Sequence, residues 1–165
     1  MLPITLDPTK LRIGLCGAGE GLARRMATLT DGGVSPVPVD PEASLEGLNL
    51  LFVAGLDVLP AKVLAMRARA QGILVNVEDV PELCDFHMPA VVRRGDLTFT
   101  VSTNGRAPGL SRLLREWLDR AFGHEWTGRI DQIAAIRADC RTQGLAPNEV
   151  SDRTREFVRQ NGWLA

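Results

Sequence analysis

Residues 11–33 read LRIGLCGAGEGLARRMATLTDGG, and this stretch decides the fold. Leu11 to Cys16 is an apolar run of strand length. Gly17-Ala18-Gly19 follows without a spacer, and the next residues carry a helical pattern that Gly32 and Gly33 close. A strand, a glycine turn and a helix in direct succession open an α/β fold with a parallel sheet. Working outward, Val34 to Val39 reads as a second strand ending at Asp40, but it contains Pro36 and Pro38, neither of which can donate to a ladder. Successive strand N–H groups point to alternate sides, so both prolines aim at the same side and that side is unpaired. The second strand is therefore expected at the sheet edge. Asn49 to Ala54 reads as a third strand, and a helix with Pro60 in its first turn runs on to Gly72. Ile73 to Val77 is the fourth strand. Strands and helices alternating at this pace predict parallel pairing with crossover helices.

After a loop over Glu78 to Asp85 the pattern changes. AVVRR, the turn Gly95-Asp96 and LTFTVS predict two paired strands, broken at Asn104-Gly105. From Pro108 a helix places Leu110, Leu113, Leu114, Trp117 and Leu118 on one face. A second helix spans about Trp126 to Thr142, and a third follows Asn148, read as its cap, to near Gly162. The expected division is a sheet domain over 1–105 and a helical region over 106–165. The apolar face of the helix from Pro108 calls for a partner surface.

Composition narrows the function classes. The formal net charge is −1, so no global basic field recruits nucleic acid or an anionic membrane. Seventeen of the 19 basic residues are arginines, whose planar forks suit carboxylates or phosphates, although a base-composition bias of the gene produces the same excess. Cys16, Cys84 and Cys140 are odd in number and widely spaced, which suggests neither a disulfide framework nor a structural zinc site. No signal-like segment opens the chain and no apolar run of membrane length occurs in it, so a cytoplasmic protein is expected.

The glycine turn suggests a ligand. A strand, Gly17-x-Gly19 and a helix N-terminus set backbone N–H groups and the positive end of a helix dipole where a pyrophosphate can sit. Asp40, about twenty residues on, stands where it can hydrogen-bond a ribose hydroxyl, which predicts NAD rather than NADP. Gly17, Ala18, Gly19 and Glu20, with Asp40 and Pro41, are the candidate cofactor residues. The fingerprint's third glycine is absent, since position 22 is leucine. The alternative is that the glycines only make a tight turn and that Asp40-Pro41 only initiates one.

Three further segments carry a family resemblance: VNVEDVP (75–81), FHMPAVVRRGDL (86–97) and STNGRAPGLSRLLR (102–115). In that order and spacing they closely resemble the signature region of precorrin-2 dehydrogenases, including the amino-terminal part of bifunctional sirohaem synthases. The opening LDPTKLRIGLCGAGE is similar as well, so the resemblance covers about residues 5 to 122. It implies a Rossmann-like sheet followed by a hairpin and helical dimerisation region, and oxidation of precorrin-2 to sirohydrochlorin with NAD as hydride acceptor. It also implies, for many members, insertion of Fe²⁺ or Co²⁺ as a transient substrate, and a homodimer. The family's essential aspartate falls on Asp79. Ser102 and Thr103 correspond to a hydroxyl pair near the tetrapyrrole site, and Asn104, Gly105 and Arg106 complete the candidate substrate loop, although family members commonly have Gly and Ser at 104 and 107. Relatives usually carry another helix and strand where this chain has only PEASLEGL (41–48). That loss makes the second strand an edge, as the prolines require independently, and it borders the adenosine half of the cofactor site.

The remaining polar residues have plainer readings beside the functional ones. Arg93, Arg94, Arg106 and Arg112 could pair with the carboxylates of a tetrapyrrole, Arg106 foremost, but adjacent arginines on a hairpin are usually a solvated edge. His87, between Phe86 and Met88, reads as a packed or hydrogen-bonded structural histidine rather than as a proton shuttle or metal ligand, and His124 as a cap. No resident metal is expected. The competing functions are an NAD-dependent dehydrogenase centred on Asp79, a catalytically reduced chelatase, and a noncatalytic tetrapyrrole- or nucleotide-binding homodimer on the same scaffold.

Overall fold

The computed structural model describes residues 2–164. It divides into two compact units, one ending at Met88 and the other beginning at Pro89. The first contains β1 (Ile13–Gly17), α1 (Gly19–Asp31), β2 (Val37–Pro38), β3 (Leu50–Ala54), α2 (Val58–Arg69) and β4 (Leu74–Val77). The four strands form one parallel sheet in the order β2-β1-β3-β4. β2 lies at the edge, as its prolines require. Val39 N–H donates to the Leu15 carbonyl at 2.9 Å, so odd positions face β1 and the donor-less nitrogens of Pro36 and Pro38 face outward. Only two residues of the expected strand keep ladder geometry.

The opposite edge is closed by a strap that the sequence shows only as loop. Asp85 N–H donates to the Val75 carbonyl at 2.7 Å, and its carboxylate takes Val75 N–H at 2.9 Å and Arg69 Nε at 2.9 Å. Cys84 Sγ accepts Val77 N–H at 3.3 Å. Residues 84–86 thus satisfy β4 groups that no further strand reaches.

Strand alternation sorts the core into two layers. Leu51, Val53, Val75 and Val77 pack against Leu64, Ala65 and Ala68 of α2. Ile13, Leu15, Leu50 and Phe52 meet Leu29 on the other face, where Leu22, Met26 and Phe86 join them. The short 41–48 link is packed rather than loose. Leu45 and Leu48 are buried in the α2 layer, and Arg67 of α2 donates to the carbonyls of Pro41 and Ala43.

The second unit contains the hairpin β5 (Ala90–Arg94) and β6 (Leu97–Val101), then α3 (Pro108–Ala121), α4 (Trp126–Thr142) and α5 (Pro147–Gln160). Arg94 pairs with Leu97 across a two-residue turn whose Gly95 has φ 59°. The boundary expected at 105/106 falls instead at 88/89, because the hairpin packs on α3.

Arg94 corrects the reading of a solvated edge. It is buried and donates from Nε to the Phe122 carbonyl at 2.7 Å, and from Nη2 to the Asp119 carbonyl and Oδ1, both at 2.8 Å. A cation set on the last carbonyls of α3 caps that helix. Its hydrogen bond in turn holds the Asp119 carboxyl below the usual carboxylate range. Arg94→Met is expected to cost about 2–3 kcal/mol, because the carbonyls lose a charged donor; a urea melt followed by circular dichroism measures it, and an unchanged midpoint would remove this role.

Aromatic rings run from the hairpin to the last helix: Phe99 to Phe122, Phe122 to Trp126, Trp126 to Trp163 and Trp163 to Phe157, with centroids 4.3–6.1 Å apart. Asn148 is not the cap of α5. The helix starts at Pro147, and Glu149 reaches back to accept Ala146 N–H at 2.8 Å.

Candidate cofactor and active site

All four strands of the first unit run the same way, so Gly17, Asp40, Gly55 and Asp79 emerge at one end of the sheet. β1 leads to an edge strand on one side, while β3 lies on its other side, so the chain reverses its direction of travel between β1 and β3. Ligands of open α/β sheets bind at such a switch point. There the two turns press together. Ala18 N–H donates to the Ala54 carbonyl at 3.2 Å; a Cβ on Gly17 would lie 1.8 Å from that oxygen, and one on Gly55 2.1 Å from the Ala18 carbonyl.

The first intrahelical bond of α1 runs from Leu22 N–H to the Ala18 carbonyl at 3.3 Å. Gly19, Glu20 and Gly21 therefore present amides with no intrahelical acceptor. The glycine that permits close helix-to-strand contact is Gly21, which is buried: a Cβ there would lie 2.9 Å from Gly55 N and 2.9 Å from Glu78 Oε2. A pattern expecting that glycine at 22 passes over it. Leu22 packs into the α1-side core.

Asp40 is exposed just beyond β2, and its Oδ1 accepts Glu42 N–H at 2.9 Å, a turn contact that leaves Oδ2 for a ligand. Burial pushes the Cys16 thiol up, and the Asp40 charge adds to this. Pro41 supplies its carbonyl to Arg67. The free amides at 19–21, the small residues around them and a carboxylate beyond β2 fit a dinucleotide.

Asp79 follows β4 by two residues, exposed, with φ 60°. The turn is closed by Val80 N–H on the Val77 carbonyl at 3.4 Å, while Glu78 N–H donates to the Val53 carbonyl at 2.9 Å. A left-handed non-glycine residue is uncommon and costs energy, and such residues cluster at functional positions. Among the described residues only Asp79 and Asn104, φ 53°, adopt it, and both stand in the candidate set. The sequence reading missed Glu78. Its carboxylate is 3.7 Å from Arg24 Nη2 and 3.6 Å from Arg25 Nη2.

In the second unit the candidate substrate loop follows β6. Thr103 Oγ1 accepts Ala107 N–H at 3.2 Å and meets Ser111 Oγ at 3.1 Å, so this hydroxyl ties the loop to the start of α3. Ser102 Oγ accepts Asn104 N–H at 3.2 Å and keeps its own proton to donate. Gly105 is also left-handed, φ 76°, and Arg106 is exposed with no ion pair among the described residues. Arg112 is engaged by Glu116 at 2.9 Å. His87 is exposed rather than packed. No group of three or more His, Cys, Asp or Glu among the described residues could hold a metal ion, and no described helix is long and apolar enough to cross a membrane.

A parallel sheet with a glycine turn at its switch point defines the class as a Rossmann-like dinucleotide-binding fold, and residues 35–90 match the NAD_binding_7 family model, described as "Putative NAD(P)-binding". The chain is 31% identical over 163 residues to the siroheme synthase of Methylococcus capsulatus, covering 85% of this chain and 34% of the relative. It is 46% identical over 157 residues to that of Nitrosococcus oceani, covering 81% and 33%. The chain thus spans about a third of the length of these relatives. The solved structure of SirC, a precorrin-2 dehydrogenase, superposes with a TM-score of 0.73 over 96% of this chain and 89% of that one, at 18% identity, which establishes a shared fold. The chain is thus similar to siroheme synthases over about a third of their length and shares the fold of a precorrin-2 dehydrogenase.

Proposed function

We propose that this protein is an NAD-dependent dehydrogenase that oxidises precorrin-2 to sirohydrochlorin. The observation that carries the reading is Asp79, a carboxylate held in a left-handed turn at the ligand end of the parallel sheet. NAD bound at the glycine turn supplies the hydride acceptor. The amides of Gly19, Glu20 and Gly21 hold the phosphates, Asp40 takes a ribose hydroxyl, and the Gly17–Gly55 approach keeps the turn close to the sheet. The macrocycle loses a hydride from one carbon and a proton as the new double bond forms. Asp79 accepts that proton. Ser102, Asn104, Gly105 and Arg106 offer donors to the substrate's carboxylates, with Thr103 fixing their loop. The same Asp79 carboxylate can take pyrrole protons if Fe²⁺ or Co²⁺ enters the product as a substrate.

The acting form in this reading is a cytoplasmic homodimer. Free thiols at Cys16, Cys84 and Cys140 suit a reducing compartment. Leu110, Leu113, Leu114 and Trp117 leave an apolar stripe of α3 exposed, which a second copy would cover. Leu114→Glu is expected to lower the mass in light scattering from about twice the 17.9 kDa of the chain to that of one chain; an unchanged mass excludes this helix as the interface. Turnover is tested by adding NAD to anaerobically generated precorrin-2 and following NADH and sirohydrochlorin absorbance together. Macrocycle binding without NADH formation would instead favour a noncatalytic tetrapyrrole-binding homodimer.

A further inference from the structure

The Glu78 carboxylate has no part in the reaction as assigned, yet it occupies an informative place. Its side chain is only 18% exposed, and Oε2 would lie 2.9 Å from a Cβ on Gly21, so the charge rests against the third residue of α1. Arg24 and Arg25, the two cations on that helix, both point to it, at 3.7 and 3.6 Å. Arg24 is flanked on its other side by Glu20 at 3.8 Å. Arg25 is tied down further, with its guanidinium over the Phe52 ring at 5.6 Å and its side chain 13% exposed.

These four charges cancel. Asp40 and Asp79, at the same end of the sheet, add two more carboxylates and no cation. The arginines on α1 that could reinforce the positive helix end toward a ligand's phosphates are thus already engaged by a resident carboxylate. We propose that Glu78 is a built-in competitor of the dinucleotide's phosphates: it withholds Arg24 from the ligand and sets cofactor affinity low, making it an affinity-determining residue of the glycine-turn site. This rests on the dinucleotide reading. Arg24, 63% exposed, is the cation free to swing once the carboxylate is gone, whereas Arg25 is pinned beneath it. The Glu78 end of this pair is partly shielded from water while the Arg24 end is exposed, so the competition is sensitive to ionic strength.

The test is calorimetric titration of the full chain with NAD and, separately, with inorganic pyrophosphate. Glu78→Gln is expected to tighten both by about tenfold at low ionic strength, with the gain shrinking as salt rises. Adding Arg24→Gln to that variant should abolish the gain. If Glu78→Gln alone does not fold because Arg25 is left unpaired, the pair variant Glu78→Gln/Arg25→Gln removes both interior charges and carries the same expectation through Arg24. Unchanged or weaker pyrophosphate binding in the folded variant overturns the proposal. Tighter pyrophosphate binding with no NAD binding in any variant upholds it and sinks the cofactor reading; equal NAD binding in wild type and variant does the reverse.

Discussion

Asp79→Asn is expected to lower kcat for precorrin-2 oxidation by about 10²–10⁴-fold, the range that a positioned general base contributes, while NAD affinity stays within about twofold. Asparagine is the informative replacement because it tolerates φ 60° as aspartate does, so the turn keeps its shape and only the proton acceptor is lost. NADH absorbance gives kcat and calorimetric titration gives the cofactor affinity. A variant that keeps more than half its turnover would show that Asp79 does not take the proton, and the carboxylate would then be a turn former only. A variant that loses turnover and NAD binding together would show that the turn, rather than the charge, is what matters.

Gly17→Ala is expected to destabilise the sheet unit by at least about 3 kcal/mol, the scale of severe core substitutions. The new methyl would lie 1.8 Å from the Ala54 carbonyl oxygen, and both partners are backbone, so no side-chain rotation relieves the clash. Gly19→Ala is the control. Its Cβ meets nothing within 4 Å, and the cost is only that of holding alanine at φ 60°, about 1–2 kcal/mol. Thermal melts by circular dichroism should therefore rank Gly17→Ala well below Gly19→Ala, at a scale of about 4–8 °C per kcal/mol for a unit of this size. Equal melting temperatures would mean that the two turns are not pressed together as described.

Much of the architecture was legible locally. Pro36 and Pro38 place β2 at the edge through nothing more than their missing N–H groups, and Val39 donating to Leu15 bears this out. The start of α3 at Pro108 follows from proline's fit to a helix's first position, and its apolar face from the helical spacing of Leu110, Leu113, Leu114 and Trp117. The misses share a cause. Gly21 escaped because the fingerprint places its third glycine at 22, and only the approach of Gly55 shows which residue must be small. Asn148 looked like a cap because the residue type favours one; the cap position is two residues earlier, at Ala146, and the helix begins on Pro147 with Glu149 supplying the acceptor.

What the sequence determined by itself is the order and kind of elements, the parallel sheet, the glycine turn and the segments that carry the family likeness. Strand alternation, helical period and proline or glycine stereochemistry all act within a few residues, so the chain displays them without folding. The tertiary structure alone decided that Glu78 pairs with Arg24 and Arg25, that Cys84 and Asp85 close the edge of β4, and that Arg94 is buried on the end of α3 with its hairpin. Each of these depends on which distant groups burial brings within a few ångströms, where a charge or N–H must find a partner once water is gone. No local pattern encodes that choice.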